Sequence, residues 1–293
     1  SQLTSASIVT ATGQIFFTLS LGMGIICNYA SYLQPDEDIV TASVATVALN
    51  EFAEVILAGT SVIPISYAFL GPEGIKGSIG LAFMALPNVF TTMAGGRIFG
   101  AVWFFLLFFA GFTSAIAMYN YLVALLEEEL GVQRKKGALL IFVLYLIVGA
   151  PIAAEGIITG EANLIYFTEV DNWIGNYLLI VLGLLEVITL AWLVRDDGLV
   201  EMNKGGLWHV PKWFYKLFHQ FLTPICIIVF LGIFTRDYWI AGNFKITPSY
   251  INGIEYMAPW VNAARLVVVV VLIIGFIQTH RAIKRKYKDE IET

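Results

Sequence analysis

An amide and two carboxylates, Asn50, Glu51 and Glu54, stand in the middle of an apolar run, ALNEFAEVILAG. Asn50 and Glu54 are four residues apart, so they share one face of a helix. A carboxyl group at membrane depth is expensive and by default marks a functional site. Glu54 is therefore a candidate proton carrier; a Glu merely hydrogen-bonded to neighbouring helices is the plainer alternative. A second polar group lies in Gly13–Tyr32, GQIFFTLSLGMGIICNYASY, where Gly22 and Gly24 interrupt an apolar segment next to Thr18, Ser20 and Asn28. A helix that breaks at membrane depth frees backbone N–H and C=O groups, tolerable only where protein or a water-filled cavity covers them. The freed ends carry dipole charge and suit a small zwitterion with its coupling ions. The same glycines would also serve a hinged packing helix. A third group is the hydroxyl pair Thr113–Ser114 after Ala110, in WFFLLFFAGFTSAIA. Hydroxyls and carbonyls ligate hard cations, but two hydroxyls in an apolar helix also bond back to their own carbonyls, the favoured reading of these residues alone. Glu186, in a later apolar run, raises the same question as Glu54 without a polar helix neighbour. No nucleophile–base pair, phosphate-cradling glycine loop or Cys/His cluster with metal spacing is present, which argues against an enzyme, and nothing suggests nucleic acid as a partner.

These groups need helices long enough to hold them in a bilayer. The 293 residues are 58% hydrophobic and only 13% charged, with a mean hydropathy of +0.77, well below the charge content of soluble domains. The fold class expected is an all-α polytopic membrane protein. Seven spans near the ~20 residues a bilayer requires are expected at residues 13–32, 39–70, 98–126, 138–158, 173–194, 218–234 and 258–279, the first discontinuous. Residues 1–12 read as an extracellular loop. Residues 71–97 are apolar but punctuated by Pro72, Gly74, Gly77, Gly80, Pro87 and Gly95–Gly96, a pattern for an external lid of short helices. Residues 195–217 form a cytoplasmic loop, and residues 280–293 a basic cytoplasmic tail. Twelve of the seventeen Lys and Arg residues fall in the loops after spans three, five and seven, which places the C-terminus in the cytoplasm and Ser1 outside. Cys27 and Cys226 each sit in an apolar run and read as packing residues rather than a disulfide.

The motifs GQIFFTLSLGMG, ALNEFAEVILAG and WFFLLFFAGFTSAIA, in this order and spacing, closely resemble the neurotransmitter:sodium symporters. The likeness is nearest to their bacterial amino-acid transporters of the leucine-transporter type. The resemblance covers the whole chain but only part of the family's length, from just before the sixth of its usual twelve helices to beyond the twelfth. It implies the second five-helix inverted repeat (residues 13–194) plus two C-terminal spans (218–279), with the first five helices lying outside this chain; broken helices and inverted repeats are the family's known construction.

Residue by residue, the resemblance implies that Phe17 closes over the substrate from outside. Phe16, Thr18 and Ser20 line the break, and Met23, Met118 and Ser114 shape the substrate pocket. Thr18 and Asn50 are implied ligands of one sodium ion; Ala110 (through its carbonyl), Thr113 and Ser114 of a second. On the resemblance the Thr–Ser pair is thus a cation site. Both sites would be completed by helices outside this chain. Asp171 matches the acid of the external gate. Glu54, with Gln14 beside it, matches the acid of chloride-independent members, where a fixed carboxylate supplies the charge that a bound anion provides elsewhere. The function expected is a sodium-coupled, chloride-independent symporter of hydrophobic or neutral amino acids in the plasma or inner membrane. The alternative is a split or truncated membrane subunit with a structural role, acting with a companion chain.

Overall fold

A computed structural model describes residues 5–72, 81–160, 164–246 and 257–286; the described residues are predominantly helical and include no strand. The first expected span is broken. It consists of α1, Ser5–Thr18, and α2, Ile25–Ala30, joined by six non-helical residues. Among the described residues six further helices are long and apolar enough to cross a membrane: α3 (Ile39–Ala68), α5 (Gly96–Glu128), α6 (Arg134–Thr159), α7 (Ile165–Val194), α9 (Lys212–Ile240) and α10 (Ala258–Lys286). Between them lie the short helices α4 (Leu86–Thr92) and α8 (Asp196–Met202). A π-helical turn, Leu81–Ala85, leads into α4, so the described second half of the segment read as a lid is built of short helical pieces; residues 73–80 lie outside the described residues.

Several boundaries differ from the sequence-based expectation. The first helix begins at Ser5, inside the stretch expected to be a loop; α7 begins at Ile165 rather than at 173, and α9 runs from Lys212 to Ile240 rather than over 218–234. A hydropathy window measures only the part that belongs in hydrocarbon. Helical hydrogen bonding continues through polar and aromatic flanks, because backbone groups leaving the bilayer still need partners.

The chain forms two compact units, residues 1–37, 119–205 and 209–293, and residues 38–118 with 206–208. In the first unit α7 is the hub: α1 and α9 pack on its middle, and α10 packs on its first turns. Tyr166, Ile180, Ala191, Tyr215 and Val261 are the best-buried side chains there. Its start is capped from a distance. Glu155, 1% exposed, accepts the N–H groups of Ile165 at 2.7 Å and Tyr166 at 2.9 Å, which satisfies two of the orphan donors every helix start leaves and sets a negative charge against its positive dipole end. In the second unit α3 packs on α4, burying Ser66, Ala85, Leu86 and Val89. Asp38 caps α3, accepting from Thr41 N at 3.0 Å and Thr41 Oγ1 at 2.7 Å, and also takes the Leu207 N–H at 3.0 Å. Most large apolar side chains remain exposed, Phe105 and Leu272 among them. That is the expected state of helices whose solvent is lipid, where burial of an apolar side chain gains little.

Candidate functional site

The break after α1 has a defined geometry. Ser20 sits in the left-handed region at φ 55°, its N–H bonding to the Phe17 carbonyl at 3.0 Å, while the Leu21 N–H reaches the Phe16 carbonyl at 2.9 Å. This pair of bonds is a Schellman closure, the pattern that usually carries glycine at the left-handed position. A serine there costs about 1 kcal/mol or more, and such local strain concentrates at functional sites. Gly22 and Gly24 come next at φ 74° and 71°, conformations that L side chains resist. Gly22 is doubly constrained, because an added Cβ would lie 2.7 Å from the Leu179 carbonyl oxygen on α7. The glycines that mark the break in the sequence therefore serve both its backbone angles and the close approach of a neighbouring helix. Gly183 of α7 has a matching reason: a Cβ on it would collide with the Phe16 ring.

The free end is held by a residue that the sequence by itself marks only weakly. Glu186 Oε2 accepts the Gly22 N–H at 3.0 Å. The sequence signal is a carboxylate inside an apolar run, but its partner lies 164 residues away along the chain. A cavity of about 350 Å3 opens beside it, lined by Phe16, Leu21, Gly183, Glu186, Val187 and Cys226 among others. Two residues beyond the C-terminal end of α2 the Tyr32 hydroxyl accepts from Asn120 Nδ2 at 3.2 Å, and Arg134 bonds Asn120 Oδ1 at 2.9 Å and Glu127 at 3.1 Å. This polar chain ties the broken segment to α5 and α6. The sequence does not disclose it, since Arg134 reads there as a topology signal alone.

The structure places each of the other expected site residues. Gln14, Phe16, Phe17 and Thr18 occupy the last two turns of α1, and Ser20 and Met23 lie in the break itself; Phe17 is 45% exposed. Asn50 stands one residue before the last position of the α-helical part of α3, and Glu54 lies in a π-helical segment, Phe52–Ala58. Short π segments recur at functional sites. This one precedes Pro64, which lacks the N–H that would have bonded the Thr60 carbonyl. On α5, Ala110, Thr113 and Ser114 come together: Thr113 Oγ1 and Ser114 Oγ both donate to the Ala110 carbonyl at 3.1 Å, and Thr113 also reaches the Phe109 carbonyl at 2.9 Å. This is the back-bonding geometry, and it also gathers three neutral oxygens on one turn. That donor set fits a hard monovalent cation. Met118 is half-buried on the same helix. Asp171 opens a π-helical segment, Asp171–Leu178, and is held by Asn176 Nδ2, which reaches its carbonyl at 3.1 Å and Oδ2 at 3.3 Å. Thr18 and Asn50 belong to different compact units.

With six bilayer-length apolar helices among the described residues and a further one broken at a capped backbone, the chain is a multi-pass membrane protein built like a transporter. The model of the sodium:neurotransmitter symporter family matches residues 1–284, and the chain belongs to that family. It is 33% identical to an uncharacterized sodium-dependent transporter of Methanocaldococcus jannaschii over 252 residues, 82% of this chain and 49% of that protein. It is 31% identical to an uncharacterized sodium-dependent transporter of Bacillus subtilis, covering 79% of this chain and 52% of that one. A sodium-dependent nutrient amino acid transporter of Drosophila virilis is 24% identical over 86% of this chain and 39% of its own length. The chain spans about half the length of the first two relatives.

Proposed function

We propose that these residues form the solute- and ion-holding part of a sodium-coupled symporter for neutral, apolar amino acids. The observation that carries the reading is the break at Leu19–Gly24, whose Gly22 N–H is secured by Glu186 while the segment stays non-helical. A backbone kept open in this way offers N–H and C=O groups to a zwitterion's carboxylate and ammonium. Phe16, Met23 and Met118 supply apolar, adaptable contact for a side chain, and Phe17 covers the solute from the outer side. Thr18 and Asn50 ligate one sodium ion and Ala110, Thr113 and Ser114 the other. Sodium is cargo here, and it drives the cycle only by binding the outward-facing form more tightly than the inward one. Glu54, with Gln14, supplies the fixed negative charge that makes chloride dispensable. Asp171 acts at the outer gate, and the C-terminus lies in the cytoplasm of a plasma or inner membrane.

The test is binding of a panel of radiolabelled amino acids to the protein expressed in full and reconstituted in liposomes. Leucine-like substrates should bind in sodium and not in choline. Equal binding in choline would sink the sodium-coupled reading. Silence of the whole panel in either cation, with a companion chain co-purifying, would instead favour a structural subunit.

A further inference from the structure

A single guanidinium at the proposed outer end of the first unit holds three separate pieces of chain. Arg265 of α10 donates from Nε to Glu169 Oε1 at 2.6 Å, from Nη2 to the Asn243 carbonyl at 2.5 Å, and from Nη1 to the Lys245 carbonyl. The Glu169 side chain is 3% exposed and that of Arg265 20%. Glu169 Oε1 is also claimed by Trp173 Nε1 at 2.9 Å. Phe244, the residue between the two clasped carbonyls, packs edge-on against Trp173 with ring centroids 5.4 Å apart, and its ring is also flanked by Tyr177 and Tyr238. The pair therefore joins α7, α10 and the connection after α9.

Glu169 stands two residues before Asp171, where the α-helical turn Ile165–Val170 gives way to the π-helical segment. Such π-helical turns inside α-helices are frequent at functional sites. Asp171 is held locally by Asn176 of its own segment, so the segment as a whole needs an anchor, and Glu169 is the side chain that ties its start to another helix. If the guanidinium is removed, Glu169 loses the contact that ties it to α10 and to the connection after α9. The turn bearing Asp171 then loses that fixed origin.

We infer that Arg265 is a positioning residue for the gate acid: through Glu169 it sets where Asp171 stands, and through the Asn243 and Lys245 carbonyls it makes the connection after α9 move with the gate. The inference rests on the proposed role of Asp171. Lysine is a poor substitute, because a compact ammonium cannot spread three donors in one plane across a carboxylate and two carbonyls.

The experiment uses the full-length protein in vesicles, with Arg265→Gln, Arg265→Lys, the double variant Glu169→Gln/Arg265→Gln, and Asp171→Asn as control. Uptake kinetics are normalised to protein in the membrane. Arg265→Gln should raise the substrate KM about tenfold with the maximal rate within twofold of the parent, and Arg265→Lys should fall between. The double variant, free of the buried charge, should reach the membrane at parental levels yet keep the raised KM, since the clasp is still open. A cysteine placed at Asn243 should react faster with an impermeant thiol reagent in both Gln variants. If Asp171→Asn raises KM while the Arg265 variants do not, the positioning inference is wrong and the gate survives. If Asp171→Asn leaves KM unchanged, the gate reading itself fails. Parental KM in the double variant would mean that the pair only supports folding, and would also overturn the inference.

Discussion

Replacing Glu186 by Leu separates two effects that usually run together. The carboxylate now accepts the Gly22 N–H at 3.0 Å. A hydrogen bond to a charged acceptor contributes about 1.5–3 kcal/mol, and by the other measure of the same loss a stranded buried donor costs about 1–3 kcal/mol. Leucine removes the acceptor, so the open backbone conformation should be destabilised by about 3 kcal/mol, roughly a hundredfold in the population able to bind solute. Removing a carboxylate from an apolar helix acts in the opposite direction on the whole fold, since an acid at a helix centre costs about 2.5–3.5 kcal/mol to place in a membrane. Glu186→Leu is thus expected to lower sodium-dependent substrate affinity by about two orders of magnitude without lowering the melting temperature in detergent. Glu186→Gln keeps an acceptor but exchanges a charge-assisted bond for a neutral one, worth about 1 kcal/mol, and should lose about fivefold. Scintillation-proximity binding and a thermal-shift assay on the same preparations read both quantities. Affinity within threefold of the parent for Glu186→Leu would refute the reasoning, and so would a loss of affinity fully matched by a loss of melting temperature.

Glu54→Ser should convert a chloride-indifferent protein into one whose uptake requires chloride; a parent that already needs chloride would remove Glu54 from the role assigned to it. Thr113→Val and Ser114→Ala each delete one of three oxygens gathered on α5, so the sodium concentration for half-maximal uptake should rise about tenfold, or ~1.4 kcal/mol per missing ligand, with the substrate KM at saturating sodium little changed for Thr113→Val. Asp38 has its carboxyl held below the usual range by the Thr41 backbone N–H, then the Thr41 hydroxyl and the Leu207 N–H. A depressed pKa means that the stabilisation is present above the ordinary carboxylate value and is lost as pH falls through the folded one. Limited proteolysis at Leu207–Trp208 should accordingly be flat across the neutral range and accelerate only in acid below the ordinary carboxylate value. Asp38→Ala should be cleaved faster across the whole range, while Asp38→Asn, itself a good helix cap but not titratable, should lose the acceleration in acid.

The membrane class and the broken first span were legible in the residues, because both rest on short-range physics. Apolar content over about 20 residues decides the solvent a helix prefers, and two glycines in three residues permit backbone angles that no other side chain adopts without strain. The tight grouping of Ala110, Thr113 and Ser114 was equally readable, since hydroxyls three and four residues after a carbonyl meet it on any α-helix. The π-helical segments at Glu54 and Asp171 were not legible, because register shifts in a helix depend on which neighbours absorb the displaced carbonyls. Nor were the ends of α7 and α9, which continue beyond the apolar stretch that marks them.

The amino-acid order alone settled that this chain lives in lipid, and it pointed to a break or hinge near Gly22 and Gly24 and to acids at 54 and 186 costly enough to need a purpose. Only the folded arrangement settled who answers those costs: Glu186 meets Gly22, Glu155 meets the start of α7, and Arg265 meets Glu169. The reason is range. Backbone preference and hydropathy are set within a few residues, whereas the partner of a charge removed from water is whichever helix packs against it, and that is decided by the fit of surfaces far apart in sequence.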